Sequence, residues 1–467
     1  MPSLSSQPVK AFPSGVGPTE PLRVLFFDYF TRGIHNFTRV VEAAAPGEAS
    51  FHLLHLGSFR DPSIPRTECI EGIPCEDIAV FGNKNLEEIL RSLRPDVVVG
   101  TNMSQLADRA LFLTCSKLMI PTVYLQHGSL LEYPAFLAAA TQADQKWTIA
   151  DYVQRIPKYA KVIPWYVSVR RGGWYDPLFW KVLWTLLKSP TVSNYFPVAP
   201  EKLWPTLALV YNQTDAEMLM RVYHFPADRI QVVGNPELDT ATRRRDAPWK
   251  LDERARLVES IGLDPGTPIL FYPDEGLTDG NVFGWTPSFR ADRLRELYAS
   301  CRQAGVQLLI RPRSHGLSQN DRVLEGCKGV VVSRSIALVD SIDIAAVVVG
   351  TISTVLETAV VLRKPILSPL WYISGRANDS PYLKYRAATA VESPDDLSHM
   401  ILQAANGCLR ANTEEFATKR LGVLDGSASK RIVAAILGLG RSAQTSQNRG
   451  QCPARETVIP TIPEKET

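Results

Sequence analysis

Short apolar runs alternate with longer amphipathic stretches along most of this chain, and few folds accommodate that order. Between the strand-like runs, stretches such as Asn85–Leu93 place apolar residues at helical spacing. Strand, helix and strand in repeated order predict a parallel sheet with helices on both faces. The strand-like runs of the first half are Arg23–Phe27, Phe51–His55, Asp96–Gly100 and Thr122–Gln126.

The second half repeats this plan more regularly. Its clearest helical stretches are Ser288–Ala304 and Thr354–Leu362. Several of its strand-like runs are entirely apolar, which indicates a buried sheet of the Rossmann type. These runs are Pro268–Tyr272, Val306–Ile310, Gly329–Ser333, Ala345–Val349 and Pro365–Leu367. The predicted fold class is therefore α/β, with two Rossmann-like domains facing each other across a cleft.

The length of 467 residues allows two or three domains. Gly234 and Pro236 interrupt the strand-like pattern that ends the first half, which predicts a hinge near residues 235–250. We expect a first domain over residues 21–240 and a second over residues 241–440. The two ends, residues 1–20 and 441–467, are polar and lack an apolar core, so we expect both to be disordered.

Composition excludes several classes of protein. Hydrophobic residues make up 45% and charged residues 21%, as in ordinary globular enzymes, and a net charge of +3 gives no reason to expect a nucleic-acid partner. No stretch reaches the ~18 apolar residues that span a bilayer. The seven cysteines are odd in number and form no C-x-x-C pair, so we expect a reducing, cytoplasmic location.

Residues 145–205 do not follow the alternating pattern and are rich in aromatic and basic side chains. Two interpretations remain open for this insert. Its aromatic side chains pack on the first domain, or the part at residues 161–188 contacts the inner face of a membrane, where Trp and Tyr lie at headgroup depth.

The most informative segment runs from Ala345 to Leu367. A buried strand ends at Gly350, hydroxyl residues form a short turn, and a helix begins. Unpaired N–H groups at a helix start can hold a diphosphate, and Gly350 permits close approach of a ligand to the backbone. Glu357 can accept hydrogen bonds from a ribose. The alternative is that Thr354 and Glu357 form a capping box.

The order strand, Gly350, Ser353-Thr354, Glu357, then Lys364-Pro365-Ile366 resembles the donor-site segment of the glycosyltransferase-B superfamily. The similarity is to bacterial capsule and teichoic-acid polymerases, of the CDP-glycerol glycerophosphotransferase type, and to UDP-GlcNAc 2-epimerases. It implies that Ser353 and Thr354 contact donor phosphates and that Glu357 binds donor hydroxyls.

Two further clusters follow strands. The loop Arg311-Pro312-Arg313-Ser314-His315 comes after one strand of the second half, where Arg311, Arg313 and His315 are candidates to bind a diphosphate leaving group. The order of these residues differs from that in the polymerases, and a solvated basic loop is the alternative.

The sequence Gln126-His127-Gly128 follows a strand of the first half and recurs in the same polymerase-like group. His127 is a candidate general base or acceptor-orienting residue, and a structural histidine is the alternative.

The first loop offers Asp28 and His35 as further candidate bases, although Asp28 can equally cap the turn that follows it. Asp274 and Glu275, after the first strand of the second half, are weaker candidates for binding sugar hydroxyls.

The resemblance implies a transferase that moves a sugar or a polyol phosphate from a nucleotide-activated donor to a glycan or lipid-linked acceptor. The second domain holds the donor and the first holds the acceptor. The sequence contains no Asp-x-Asp pair, so we expect catalysis without a metal ion and with no cofactor besides the donor substrate. A sugar-nucleotide 2-epimerase and a catalytically silent two-domain binding protein are the alternatives.

Overall fold

Two parallel-dominated sheets organise the protein in a computed structural model. It describes residues 20–59, 61–103, 105–128, 149–169, 180, 204–278, 282–312, 323–409 and 412–448. The first sheet has eight strands in the order β3-β4-β2-β1-β5-β6-β7-β8, and β3 alone is antiparallel to its neighbour. Its strands are β1 (Leu22–Asp28), β2 (Ala49–His55), β3 (Thr67–Ile70), β4 (Ile73–Asp77), β5 (Val97–Gly100), β6 (Thr122–Leu125), β7 (Leu207–Val210) and β8 (Ile230–Val232).

The second sheet has six strands, all parallel, in the order β11-β10-β9-β12-β13-β14. This is the doubly wound order in which the chain moves outward from a central strand, returns to its other side and moves outward again. Its strands are β9 (Ile269–Pro273), β10 (Gln307–Arg311), β11 (Val330–Val332), β12 (Val347–Val349), β13 (Ile366–Pro369) and β14 (Thr389–Val391).

Helices cover both faces of each sheet. Their bounds are α1 (Thr38–Ala43), α2 (Leu86–Leu93), α3 (Leu106–Lys117), α4 (Ile149–Val169), α5 (Gln213–Tyr223), α6 (Asp239–Asp246), α7 (Leu251–Ser260), α8 (Pro287–Ala304), α9 (Leu338–Asp343), α10 (Val355–Val361), α11 (Pro381–Lys384), α12 (Pro394–Ala405), α13 (Glu414–Phe416) and α14 (Ala428–Asn448). The arrangement confirms the predicted fold class of two Rossmann-like domains.

Apolar strand residues form the two cores. The middle of β1 is almost fully buried, because β2 and β5 flank it on both sides and helices cover both faces. In β12, all three valines are buried in the same way. Strands buried on both faces are continuous apolar runs rather than alternating ones, which explains why the sequence identified them.

Helix α4 lies within the predicted insert and packs on the first domain. Trp165 and Tyr166 are buried there against the core that contains α3. For these two side chains the packing interpretation is therefore the one that the structure shows. Residues 170–179 and 181–203 of the insert lie outside the described residues. Within the described part of the chain, none of the helices is long and apolar enough to cross a membrane.

The last helix corrects the predicted domain boundary. We expected residues 241–440 to form the second domain and residues from 441 onward to be disordered, but α14 continues to Asn448. Its apolar side chains Ile432, Val433, Ile436 and Leu437 belong to the core of the first sheet. The chain thus passes from the first domain to the second near residues 235–250 and returns to the first domain at α14. We call these segments the first and second crossings. The return occurs because the apolar face of α14 packs against the first sheet.

The two crossings bind each other. Asp239, at the start of the first crossing, accepts hydrogen bonds from the N–H groups of Ala428 (2.9 Å) and Ser429 (2.8 Å) and so caps α14. Arg431 of α14 donates to the carbonyl of Val233 at 2.8 Å. Residues 235–250, the predicted hinge, are therefore one of two connections between the domains, and the two are hydrogen-bonded to each other.

Candidate active site

The carboxyl ends of the strands in both sheets carry the candidate residues. Asp28 ends β1 and Thr101 follows β5. These two neighbouring strands lie where the strand order of the first sheet reverses. Glu275 follows β9 and Thr351 follows β12, the corresponding pair in the second sheet. Ligands of doubly wound sheets bind in the crevice outside the carboxyl ends of the strands, at the point where the strand order reverses.

Asp28 is buried and holds the first loop. Its Oδ1 accepts hydrogen bonds from the N–H groups of Tyr29 (2.6 Å) and Phe30 (3.1 Å), and its Oδ2 accepts one from the Thr101 hydroxyl (3.3 Å). Burial raises the pKa of the Asp28 carboxyl, although these three hydrogen bonds act to lower it. Asp28 therefore caps its own turn, as the alternative interpretation expected.

Gly33 is necessary for that arrangement. A Cβ atom at position 33 would lie 2.2 Å from Cγ of Asp28, far inside contact distance. The first loop therefore folds against the Asp28 carboxylate only because residue 33 has no side chain.

His127 lies two residues beyond β6, and the residue is partly accessible to solvent. The protein around the ring lowers the pKa of His127, while the nearby charge of Asp28 acts to raise it. A lowered pKa leaves the imidazole neutral at pH 7 and able to accept a proton. The structure thus brings together two of the three predicted catalytic residues.

Gln126 fixes the backbone next to His127. Its side-chain amide donates to the carbonyl of Gly128 (2.8 Å) and to Asp215 (2.6 Å), and its oxygen accepts from the N–H of Tyr211 (2.8 Å). Because the amide is buried and bonded at both ends, Gln126 sets the position of the loop that carries His127.

His35 has different neighbours. Its ring lies 3.7 Å from the Glu71 carboxylate, and both side chains are more than half exposed. The charge of His35 also acts on Glu237 in the connection between the domains. The structure therefore pairs Asp28 with His127 rather than with His35.

In the second domain, Glu275 binds the loop that was expected to hold phosphate. Its Oε1 accepts from the N–H groups of Thr351, Ile352 and Ser353, each at 2.8 Å, and its Oε2 accepts from the Thr351 hydroxyl at 2.5 Å. Burial raises the pKa of the Glu275 carboxyl against these four hydrogen bonds. The backbone donors ahead of α10 are thus already bound by the protein itself.

Gly350 is a point of close packing. A Cβ atom there would lie 2.8 Å from the Leu356 side chain of α10. The glycine therefore allows the strand and the helix that follows it to approach each other, in addition to any role in ligand approach.

Thr354 and Glu357 do not form the capping box that was the alternative interpretation. Thr354 makes no side-chain capping bond and is exposed, whereas Glu357 is buried and accepts a hydrogen bond from Asn235 at 3.1 Å. Asn235 belongs to the first crossing between the domains. Glu357 therefore joins the first turn of α10 to the connection between the domains, and Thr354 remains open to solvent.

Arg311 ends β10, and its guanidinium donates to the carbonyl of Ile336 at 2.7 Å. Burial and the neighbouring charge of Arg334 lower the pKa of Arg311. Arg313 and His315, the other predicted residues of this loop, lie outside the described residues.

Asp274 lies next to the same strand end. Arg290, buried on α8, contacts its carboxylate at 3.1 Å. The backbone N–H of Asp274 donates to the carbonyl of Arg311 at 2.9 Å. Asp274 is therefore bonded within the second domain.

The two domains meet beside this site. Asn212, after β7, donates to the carbonyl of Arg420 at 2.6 Å, and the Thr214 hydroxyl donates to the carbonyl of Lys419 at 2.7 Å. At Gly422, where φ is +72°, a Cβ atom would lie 2.4 Å from the carbonyl oxygen of Tyr211. Burial raises the pKa of the Tyr211 hydroxyl, and the nearby charges of Glu237 and Glu357 raise it further. The carboxyl edges of the two sheets therefore lie close together.

Sequence reasoning underrated Glu275 and overlooked Thr101 and Thr351. One signal was available, because the pentapeptide Val-Val-Val-Gly-Thr occurs twice, at residues 97–101 and 347–351. Both copies form the strand after the change of direction, and both threonines bond to an acid after the central strand.

Comparison with known proteins finds similar structures but no similar sequence. No family model matches it, and no curated protein sequence matches it. Among solved structures, the wall teichoic acid polymerase TagF is similar with a TM-score of 0.51 and 13% identity, over 92% of this chain and 90% of that one.

A variant of the same polymerase gives a TM-score of 0.50 at 13% identity, over 93% of this chain and 91% of that one. The UDP-GlcNAc 2-epimerase of Methanocaldococcus jannaschii, in complex with UDP-GlcNAc and UDP, gives 0.47 at 13% identity, over 89% and 99%. Taken with the two doubly wound sheets and their facing carboxyl edges, the likeness to the polymerase shows that this chain has the glycosyltransferase-B fold.

Proposed function

We propose that this protein transfers a sugar or a polyol phosphate from a nucleotide-activated donor to a glycan or lipid-linked acceptor of the cell envelope. The observation that carries the proposal is the pair of facing crevices. One presents a neutral His127 beside Asp28, and the other presents Thr354 on a loop tied down by four hydrogen bonds.

The chemistry follows from these groups. His127 accepts the proton of an acceptor hydroxyl, the oxygen forms a bond to the donor carbon or phosphorus, and the bond to the nucleotide phosphate breaks. The hydroxyls of Ser353 and Thr354 and the guanidinium of Arg311 stabilise the charge on the departing phosphate. Arg313 and His315 belong to the same proposed group, and no metal ion takes part.

Access to a membrane-bound acceptor is a further part of the proposal. Where the side chains of α4 are described, the exposed ones are uncharged and recur at helical spacing, and Val153 and Ile156 are 56% and 59% exposed. Trp180, in the same insert, is 52% exposed. Exposed apolar side chains and an exposed tryptophan are residue types that suit the headgroup region of a bilayer. The stripe on α4 consists of Val153, Ile156, Pro157, Ala160 and Pro164.

A thermal-shift screen tests the donor site. The full-length protein is heated with UDP, CDP, GDP, ADP or CMP, each with and without Mg²⁺. A ligand at 100 times its Kd adds about 2.7 kcal/mol of stability, so we expect one nucleotide to raise the Tm whether or not Mg²⁺ is present.

Matched variants locate the binding. Thr354→Val keeps the shape of an exposed side chain and removes its hydroxyl, and Arg311→Ala removes the charge. Both are expected to weaken the shift, while Arg256→Ala, an exposed arginine on α7, leaves it unchanged. If no nucleotide shifts the wild type, or if Thr354→Val and Arg311→Ala keep the full shift, the donor site is wrong.

Turnover then separates the possible activities. Release of nucleotide only in the presence of an acceptor supports a transferase. Isomerisation of a sugar nucleotide without any acceptor indicates a 2-epimerase, and binding without turnover indicates a silent binding protein.

A further inference from the structure

The loop ahead of α10 has the geometry of an anion-binding site that is filled by the protein. Three successive N–H groups, of Thr351, Ile352 and Ser353, converge on a single oxygen of Glu275 at 2.8 Å each. Backbone donors that converge in this way form a concavity called a nest, which in many proteins binds phosphate. Here a carboxylate from a residue 76 positions away occupies it.

The other side of the loop is also bonded. The Ser380 hydroxyl donates to the carbonyl of Thr351 at 2.6 Å, and the Tyr382 hydroxyl donates to the carbonyl of Ser353 at 2.7 Å. Ser380 and Tyr382 are both buried. With its N–H groups bound by Glu275 and these carbonyls bound by hydroxyls, the loop has one favoured conformation.

Glu275 itself comes from a fixed turn. The neighbouring Asp274 contacts the buried Arg290 at 3.1 Å and accepts from the N–H of Gly276 at 3.2 Å. The carboxylate is therefore held in place from its own side as well, so that it can impose a shape on the loop.

We propose that Glu275 is a positioning residue whose carboxylate substitutes for a bound anion in the 351–353 nest and thereby presents Ser353 and Thr354 to the donor. The inference rests on the proposed function and makes it more specific. A donor phosphate cannot enter a nest that is filled by a carboxylate. It binds instead to the hydroxyls of Ser353 and Thr354, on the solvent side of the loop.

Removal of the carboxylate should expose the nest to small anions. In Glu275→Ala, we expect a lower Tm than in the wild type, and we expect formate or inorganic phosphate to raise that Tm by several degrees. The wild type should show no such increase, because its nest is occupied. As a control, Glu88→Ala removes an exposed carboxylate that accepts from the N–H of Asn85 at 2.7 Å, and formate should not stabilise it.

Two more measurements separate positioning from general stability. Glu275→Gln keeps an oxygen that can accept from the N–H groups, so it should retain more donor turnover than Glu275→Ala, for which we expect a loss of about 100-fold in kcat/KM. Formate should restore part of that loss. Hydrogen exchange at residues 351–353 should be faster in Glu275→Gln than in the wild type, which gives a test even if Glu275→Ala does not fold.

The outcomes are distinct. If formate and phosphate leave the Tm of Glu275→Ala unchanged, or if exchange at residues 351–353 is the same in Glu275→Gln as in the wild type, Glu275 does not hold the loop. If those tests succeed but the wild type binds no nucleotide, the proposed function fails, and with it the role of Glu275 toward a donor.

Discussion

Asp28 and Glu275 occupy corresponding positions in the two domains but accept hydrogen bonds from different loops. Each carboxylate lies at the carboxyl end of a central strand and accepts a hydrogen bond from a threonine across the crevice. Asp28 also accepts from the N–H groups of its own loop, whereas Glu275 accepts from those of the opposite loop. An aspartate thus stabilises a loop of the first domain, and a glutamate stabilises a loop of the second.

A substitution at Gly33 tests the packing of the first loop against Asp28. Gly33→Ala places a methyl group against an Asp28 carboxylate that three hydrogen bonds hold in place. We expect it to lower the free energy of unfolding by about 1–3 kcal/mol, as overpacking does. The measurement is urea unfolding of the full-length protein.

Gly438→Ala on α14 is the matched control. A Cβ atom at that position meets no other atom within 4 Å. Alanine in an open helical position should raise stability by up to about 1 kcal/mol. Equal effects of the two substitutions would show that Gly33 does not accommodate Asp28.

Local patterns identified some of these residues and missed others for a physical reason. Gly350, Ser353 and Thr354 follow a buried strand directly, so their position at the sheet edge follows from the sequence. The part played by Glu275 depends on a side chain that reaches a loop 76 residues away, and no local spacing encodes that contact. The filled nest could be found only from the fold.

At the scale of elements, the last helix is the main departure from the predicted organisation. The apolar spacing of α14 shows that one face must be buried, but not against which sheet. In the structure, that face completes the core beside Leu22 and Val97. Sequence order alone would assign it to the second domain, whose strands come directly before it.

Shortening one side chain of α14 should weaken the first domain selectively. Ile436 is 1% exposed, so Ile436→Ala should cost about 2–5 kcal/mol. We expect faster hydrogen exchange in β1 and β5, and unchanged exchange in β9 and β12. Leu402→Ala, at a half-exposed position on α12, should have little effect. Faster exchange confined to β9 and β12 would contradict the assignment of α14.

At the scale of the whole molecule, the proposed membrane contact can be tested at the exposed apolar residues of α4. Replacing Val153 and Ile156 together by Asp removes two apolar side chains and adds charge. Because burial of each such side chain stabilises by about 1.5–3 kcal/mol, co-sedimentation with anionic vesicles should fall by tenfold or more.

Val423→Asp is the control for the membrane experiment, since Val423 is 52% exposed and lies outside α4. It should bind vesicles as the wild type does. Wild-type protein that stays in the supernatant with anionic vesicles would remove the membrane from the proposed function, whereas the donor site would be unaffected.

The sequence predicted the two sheets but not all of their strands, nor the pairing of the two crossings. Two doubly wound sheets follow from the repeated order of strands and helices, because each fully apolar strand requires cover on both faces. The antiparallel pair β3 and β4 was missed, since Thr67–Ile70 is short, contains two polar residues among its four and has no buried position. The pairing of the two crossings depends on Asp239 and Arg431, which are far apart in sequence.

The return of α14 to the first sheet also has a consequence for the order of events during synthesis. Domains generally fold as they leave the ribosome, beginning at the N-terminus. Here the residues that close the core of the first domain, Ile432 to Leu437, emerge only after the whole second domain. The apolar face that α14 will cover stays open until the second domain has been synthesised, so the nascent chain needs protection there for longer than its first strands alone would suggest.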